Sequence, residues 1–569
     1  ASAPICNRMN VAQFLSEFAA DQPDQLAIAA PKPAVAHDRG MALDQRYSMI
    51  TFSELDDVSS RLAAGLKQMG VTPGMRLALM VPPSIDFITW VFALLKSGAV
   101  SILIDPGMGK DNLIDCLTKA EPTGFIGIPK VHAVRLLMKR RFNKAQYNVT
   151  VGRRWFWGGK TQKQLLSTST QSFDVFAADE SSPASIIFTT GSTGPPKGVQ
   201  YRHGNFVSQI TQLRDQYGIS PKEIDLPAFP LFGLFNAAMG VTTVLPDMDF
   251  TQPASVDPEH ITIPIQDWKI TQSFGSPALW ETVGKYLDET QCQLPSLKRV
   301  LSAGAPVPPR VLQRVTNAIA EDAEMYTPYG ATEALPVASI SGAEVLNETA
   351  AMSEAGHGTC VGSRFNGIQW KVIQIDDEAI QNIDDVIEVP SGEIGELIVS
   401  GPVVTSHYAT DPHHTTMHKI HDEDGSIWHR MGDVGYLDQQ QRFWFCGRKG
   451  HRVRLPDKTL FTIPCEAIVN QHPAVYRSAL VSVHPAGIAE AAMVVQPWPN
   501  SAPQSAQEES RLRDELLAYA TAHERTADVK HILVHSDLPV DIRHNSKIFR
   551  EKLAPWAQSK LCDETEVQP

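Results

Sequence analysis

The twelve residues FTTGSTGPPKGV, Phe188 to Val199, set one lysine among glycines, prolines and small hydroxyls. Backbone N–H groups of a Gly-rich turn make a concave anion site, and Ser and Thr hydroxyls add donors. An apolar strand runs into this loop, so the segment reads as a phosphate cradle or, taken alone, as a flexible surface turn. It is not the GxxxxGK[ST] loop, because Gly198 follows Lys197. Further groups lie downstream. In MYTPYGATEA, Tyr329 offers a flat face for a base, Thr332 a hydroxyl, and Glu333 a carboxylate able to hold Mg²⁺ against phosphates. LSAGAPVP, at 301–308, ends an apolar strand in a small-residue turn where backbone can approach a base. Asp433 follows a tight turn in HRMGDVGYLD and suits ribose hydroxyls. Arg448 stands in CGRKGHRV, and Lys547 on a polar loop before a helix in DIRHNSKIFREKL.

The elements that must position these groups alternate between helix and strand. TFSELDDVSSRLAAGLKQMG is an amphipathic helix ended by Gly70, RLALMV a buried strand, SIDFITWVFALLKSG a helix, and AVSILI another strand. Such alternation predicts an α/β fold with mostly parallel strands. GEIGELIVSG and GYLDQQQRFWFCGR alternate like antiparallel strands and predict a small barrel-like part. Past Gly450 the pattern becomes that of a small α+β unit. The expected organisation is therefore a large N-terminal domain, 1–449, and a small mobile C-terminal domain, 450–569, in keeping with a chain of 569 residues.

Composition excludes several classes. A net charge of −13 disfavours bulk affinity for nucleic acid or anionic membrane. Lys96 and Gly98 interrupt the most apolar stretch, so no transmembrane segment is expected. Seven scattered cysteines without a CxxC pair, and no signal-peptide pattern at the start, point to a cytoplasmic protein with reduced thiols. One segment departs from the acidic average: residues 130–173 hold ten Lys or Arg and no Asp or Glu. It reads as a solvated, mobile surface excursion, as a docking surface for an acidic partner, or, through RRWFWGGK, as a flap over an apolar substrate.

Together with GAVSILIDPG and GEIGELIVSGP, these motifs occur in an order that resembles the adenylate-forming superfamily of acyl-CoA synthetases, peptide-synthetase adenylation domains and luciferases, over nearly the whole chain. The resemblance implies ATP and Mg²⁺. Thr189, Thr190, Gly191, Ser192, Thr193, Gly194 and Lys197 would then cover the β- and γ-phosphates. Tyr329 would stack on adenine opposite Gly304 and Ala305, and Thr332 would touch the α-phosphate. Glu333 would hold Mg²⁺, Asp433 and Arg448 the ribose, and Lys547 would bridge the carboxylate and α-phosphate. Phe232, Gly233, Phe274 and Gly275 would line the acyl pocket.

Two departures from the family bear on the second half-reaction. FPLFGLFN has Gly233 where many members carry His, which predicts a roomy pocket. After the hinge residue Gly450, Asp457 stands near the place of a glycine that passes the pantetheine arm, with a small insertion before Glu466, so a thiol acceptor is disfavoured. The set resembles most the OleC-type β-lactone synthetases of bacterial long-chain olefin biosynthesis. That implies adenylation of a long-chain 2-alkyl-3-hydroxy acid, closure by its own hydroxyl to a β-lactone, and partnership with other olefin-pathway enzymes. A long-chain acyl-CoA or acyl-AMP ligase on the same fold is the alternative. His451 is a candidate base, though it reads more readily as a surface histidine. His413, His414, His418, His421 and His429 fall where the resemblance places a surface helix and turn, and no HExxH pattern joins them.

Overall fold

Thr51 starts the first long helix. Its hydroxyl accepts from Glu54 N at 3.2 Å while the Glu54 carboxylate accepts from Thr51 N at 2.8 Å, a reciprocal cap on Phe52–Gln68. Gly70 turns the chain away at φ +94°, and the strand Arg76–Met80 follows. The helix Ile85–Ser97 is buried almost all round. Lys96 is tolerated there because its ammonium reaches Asp56 Oδ1 at 2.6 Å and Ser60 Oγ at 2.8 Å. In this computed structural model the described residues are 9–168, 173–189, 195–229, 231, 233–485, 487–541 and 547–566, with backbone alone for Pro106, Thr189 and 563–566.

Repetition of this helix–strand unit builds two large sheets. The seven-stranded sheet centres on Arg76–Met80 and Val100–Ile104 and ends in the antiparallel pair Pro183–Thr189 and Lys197–Arg202. The nine-stranded sheet runs parallel from Glu324–Ala331 through Arg299–Ser302, Gln272–Gly275, Ile224–Pro227 and Thr242–Val244 to Leu26–Pro31. Antiparallel strands close both of its margins. Parallel strands need both faces covered, and one apolar cluster, from Val11 to Phe443, draws on helices and both sheets.

A six-stranded antiparallel sheet carries Ile427–Leu437 and Phe443–Arg448. It is open: its path runs from Thr359–Cys360 to Gln369–Ile373 without closing among the described residues. The smaller C-terminal domain has a three-stranded sheet, Val475–Val483, Glu490–Pro497 and Val529–Val534, with helices Ala506–Thr521 and Arg550–Glu566. Two apolar clusters within 453–561 form its own core. No helix among the described residues is long and apolar enough to cross a membrane.

The basic segment differs from the expected excursion. Tyr147–Thr150 pairs in parallel with Gly124–Gly127, and Lys160–Thr161 extends the same sheet. Phe142, Val149 and Trp157 are buried, so apolar residues between the cations dock the segment as a sheet edge. Arg141 pairs with Asp115 and Lys144 with Glu121, which offsets part of its charge locally. Leu137, Trp155 and Phe156 remain exposed.

Candidate active site

The site forms where the edges of the sheets meet. The strands Glu324–Ala331 and Ala334–Ser341 are antiparallel, with Ala331 opposite Ala334. Thr332 and Glu333 are therefore the two residues of a tight hairpin and project from its tip. Tyr201 Oη donates to the Thr332 carbonyl at 2.5 Å, and Thr405 N and Oγ1 donate to the Glu333 carbonyl at 2.9 and 3.0 Å. These bonds fix the tip. The Glu333 carboxylate accepts from Tyr408 Oη at 2.7 Å. Burial first, then the Glu333 charge, pushes the Tyr408 phenol far above its ordinary range, so it stays a donor.

Tyr329 lies on the same hairpin and donates to Asp433 Oδ2. Asp433 stands opposite Arg448 in the pair Ile427–Leu437 and Phe443–Arg448. Arg448 Nη1 donates to Asp433 Oδ1 at 2.6 Å and to the Met431 carbonyl at 3.1 Å. The antiparallel register brings Asp433 and Arg448 together, and the Tyr329 hydroxyl ties that pair to the hairpin of the nine-stranded sheet. Two polar atoms nearby, Arg448 Nε and Ser302 Oγ, are buried without a hydrogen-bond partner among the described residues. Buried polar atoms ordinarily have partners, so these are groups a bound polar ligand would satisfy. Gly304, at φ +99°, and the half-buried Ala305 follow Ser302 on the turn.

The Gly-rich loop springs from a defined base, because Thr189 pairs with Lys197 across its two strands. Thr190, Gly191, Ser192, Thr193 and Gly194, and Phe232, lie outside the described residues, as does the side chain of Thr189. Lys197 is described, and its Nζ touches His414 Nε2. Burial lowers its pKa, opposed by the charges of Glu333 and Asp411.

The histidine stretch is thus not all surface. Asp411 caps Pro412–His418 by accepting from His414 N at 3.0 Å. Ala409 N donates to the Gly198 carbonyl at 2.8 Å and Gly198 N to Thr410 Oγ1 at 3.1 Å, which holds this segment against the lysine strand. His413 and His421 are exposed, while His414 stacks on the half-buried His418 at 5.0 Å and His429 is buried. Burial, then the neighbouring His414 and Lys197, pushes His418 down to about 3. Lys419, which follows directly, is buried and donates to the Thr405 carbonyl at 2.6 Å. Burial lowers its pKa to about 7 against the opposing pull of Glu333. Tyr408 and Lys419 carry no sequence signal, because neither stands in a recognisable motif.

Gly233 is buried, and a Cβ there would lie 2.4 Å from Pro227 Cγ. Glycine at this position permits close packing on a strand, so the roominess expected from it has no basis in the direction a side chain would take. Gly275 likewise backs onto Trp280 and Leu279, and Phe274 is part of the main core.

Gly450, the expected hinge, sits in a single turn, Lys449–His451, and is not among the glycines with positive φ. The glycine this segment requires is Gly447, at φ +135°, where a Cβ would meet Thr462 Oγ1 at 2.4 Å. His451 is half-buried, not a surface residue. Burial and the charges of Arg550 and Arg448 push it down to about 4, which makes it a weak proton acceptor. Glu466 is buried and binds Arg550 through both oxygens, at 2.6 and 2.7 Å. Lys547 lies in the C-terminal domain, where its carbonyl accepts from Asp541 N at 3.0 Å.

The sequence profile of AMP-binding enzymes matches residues 15–409. An olefin β-lactone synthetase of Stenotrophomonas maltophilia is 43% identical over 97% of this chain and 98% of its own length. One from Xanthomonas campestris pv. campestris is 44% identical over 96% and 97%. Among solved structures, the amide bond synthetase McbA of Marinactinospora thermotolerans superposes with a TM-score of 0.76 at 19% identity, covering 96% of this chain and 99% of that one. The o-succinylbenzoate CoA synthetase of Bacillus subtilis, solved with its acyl-adenylate, gives 0.71 at 18% identity, covering 95% and 97%.

Proposed function

Because the chain belongs to the AMP-binding enzyme family and is an ATP-dependent adenylate-forming ligase, we propose that it converts a long-chain 2-alkyl-3-hydroxy fatty acid to a β-lactone. The observation that carries this reading over thioester formation is the kinship, across nearly the full chain, with two olefin β-lactone synthetases. In the first step a carboxylate oxygen bonds to the α-phosphorus of ATP and pyrophosphate leaves. In the second, the oxygen on C3 bonds to the acyl carbon, its proton is lost, and AMP departs with one former carboxylate oxygen. The nucleophile is already tethered, and well-oriented intramolecular attack reaches effective molarities on the order of 10⁵–10⁸ M, so no external acceptor is needed.

We assign Lys197 and the loop 189–194 to the β- and γ-phosphates, and Tyr329 to adenine with Gly304 and Ala305 on its other face. Thr332 takes the α-phosphate, Asp433 and Arg448 the ribose, and Lys547 bridges carboxylate and α-phosphate. The convergence of Tyr329, Asp433 and Arg448, and the orphaned Arg448 Nε, support the ribose assignment. Glu333 is the residue to hold Mg²⁺: its hairpin is fixed by three hydrogen bonds and its carboxylate is aligned by Tyr408. Mg²⁺ there would neutralise phosphate charge that otherwise repels the incoming carboxylate. We assign Phe232, Gly233, Phe274 and Gly275 to the acyl pocket, with the alkyl chains against the glycine faces turned away from Pro227 and Trp280. We place the domain boundary at 449/450, with the smaller domain turning to deliver Lys547. Operation in the cytoplasm beside other olefin-pathway enzymes completes the reading.

The test is incubation with ATP, Mg²⁺ and a 2-alkyl-3-hydroxy acid, with and without CoA, with products identified by NMR and mass spectrometry. A β-lactone formed equally well without CoA supports the reading. A CoA thioester as the sole product refutes it.

A further inference from the structure

The nine-stranded sheet ends its parallel strands along one edge, where loops carry binding groups in folds of this kind. The turn at Ser302–Gly304 leaves that edge, and so do two segments further along it: the loop after Leu26–Pro31 and the turn after Thr242–Val244. The first carries His37, the second Asp247, and the helix Glu259–Trp268 brings His260 beside them. The three residues are half-buried and offer donor atoms that all lie within 4.8 Å of one another.

Their protonation pattern is partly fixed. His260 Nδ1 is 2.8 Å from the Asp247 carbonyl oxygen. A carbonyl can only accept, so Nδ1 carries a proton, and the lone pair of the neutral ring lies on Nε2. This is how metal-bound imidazoles are oriented by their outer partners. His37 Nε2 lies 3.2 Å from Asp247 Oδ2, and its Nδ1 is buried without a partner among the described residues. The two rings stack with centroids 3.7 Å apart and planes at 4°. The loop is already anchored to the far end of the same helix, where Arg39 and Arg46 both bind Asp267 at 2.7 Å. His37–His260 is a second tie, and it is built of metal-binding side chains.

We propose that His37, Asp247 and His260 form a binding site for a divalent transition metal of the zinc class. Two imidazoles and a carboxylate suit Zn²⁺, with water completing a tetrahedral set on the exposed side. At metal–ligand distances of about 2.0–2.2 Å, donor atoms around one ion stand about 3.4 Å apart. The His37–Asp247 pair, at 3.2 Å, already stands at about that spacing, so binding needs only the remaining donors, now within 4.8 Å, to close in and the imidazoles to turn out of their stack. The metal fastens the loop of residues 32–42 to the sheet edge that also bears the candidate active site.

The experiment is equilibrium dialysis of chelator-stripped full-length protein against Zn²⁺, with bound metal counted by mass spectrometry. Wild type is compared with His37→Gln, His260→Gln and a His414→Ala/His418→Ala control, each checked for native circular dichroism. One tight equivalent is expected in wild type and in the control. Its affinity falls by more than about tenfold in both single variants, since loss of even an outer-shell partner costs about 10–100-fold. Co²⁺ substitution gives a second readout, a visible ligand-field band that both single variants lose. Absence of a tight equivalent in wild type, or its survival in either single variant, overturns the proposal.

Discussion

Replacing Tyr408 by Phe deletes one hydroxyl and leaves the ring, so its edge-on contact with His414, centroids 5.7 Å apart at 90°, is kept. What is lost is the 2.7 Å bond to Glu333 Oε1. Tyr408 is 5% exposed, so water does not readily replace its hydroxyl. Hydrogen bonds to charged groups contribute about 1.5–3 kcal/mol, and each 1.4 kcal/mol is a factor of ten. If Glu333 acts only when aligned, ATP–pyrophosphate exchange driven by the acid substrate falls by about 10–100-fold. Because the effect is exerted through Glu333, it vanishes in a double-mutant cycle: Tyr408→Phe adds nothing once Glu333 is Ala. Exchange within twofold of wild type for Tyr408→Phe, or additive losses in the double variant, refutes this role.

Other perturbations test separate parts of the molecule. Lys547→Ala abolishes pyrophosphate exchange but leaves ATP affinity, read by calorimetry, within a few fold, since the assigned nucleotide contacts lie elsewhere; normal exchange would remove Lys547 from the chemistry. Gly447→Ala forces an L side chain to φ +135° and onto Thr462. It costs about 1–3 kcal/mol in backbone strain alone, so a lower thermal midpoint and faster proteolysis at the proposed 449/450 boundary are expected, and an unchanged midpoint would contradict the contact. Burial holds Lys419 near 7 when folded against 10.5 as the ordinary value. Between those pH values the unfolded chain binds the extra proton, so this lysine destabilises the fold fully below pH 7 and the penalty fades as pH rises to about 10.5. Lys419→Met therefore raises the thermal midpoint most at pH 6–7, and the difference from wild type shrinks towards pH 10; a constant difference contradicts the assignment.

The legible residues were those whose chemistry and chain position coincide. Tyr329, Thr332 and Glu333 sit in one decapeptide, and the hairpin simply exposes it. Asp433 was readable from the tight turn before it and Arg448 from its place in CGRKGHRV, although only the register showed that they face each other. Tyr408, His414 and Lys419 were not readable as site residues, because contacts between distant segments bring them there: Asp411 caps a short helix and Ala409 bonds Gly198. The basic segment misled for a related reason. Charge counting registers its cations, whereas its fold is decided by Phe142, Val149 and Trp157 between them. Gly233 suggested an empty space, yet glycine also marks where another residue, here Pro227, comes too close for a side chain.

Isotope tracing tests the order of bond formation most directly. The 2-alkyl-3-hydroxy acid is labelled with ¹⁸O at both carboxylate oxygens and turned over with ATP in unlabelled water, and AMP and lactone are weighed by mass spectrometry. Carboxylate adenylation followed by hydroxyl attack leaves one ¹⁸O in AMP and one in the lactone carbonyl. Unlabelled AMP with both labels in the lactone would mean that the hydroxyl, not the carboxylate, was activated, and would contradict the mechanism.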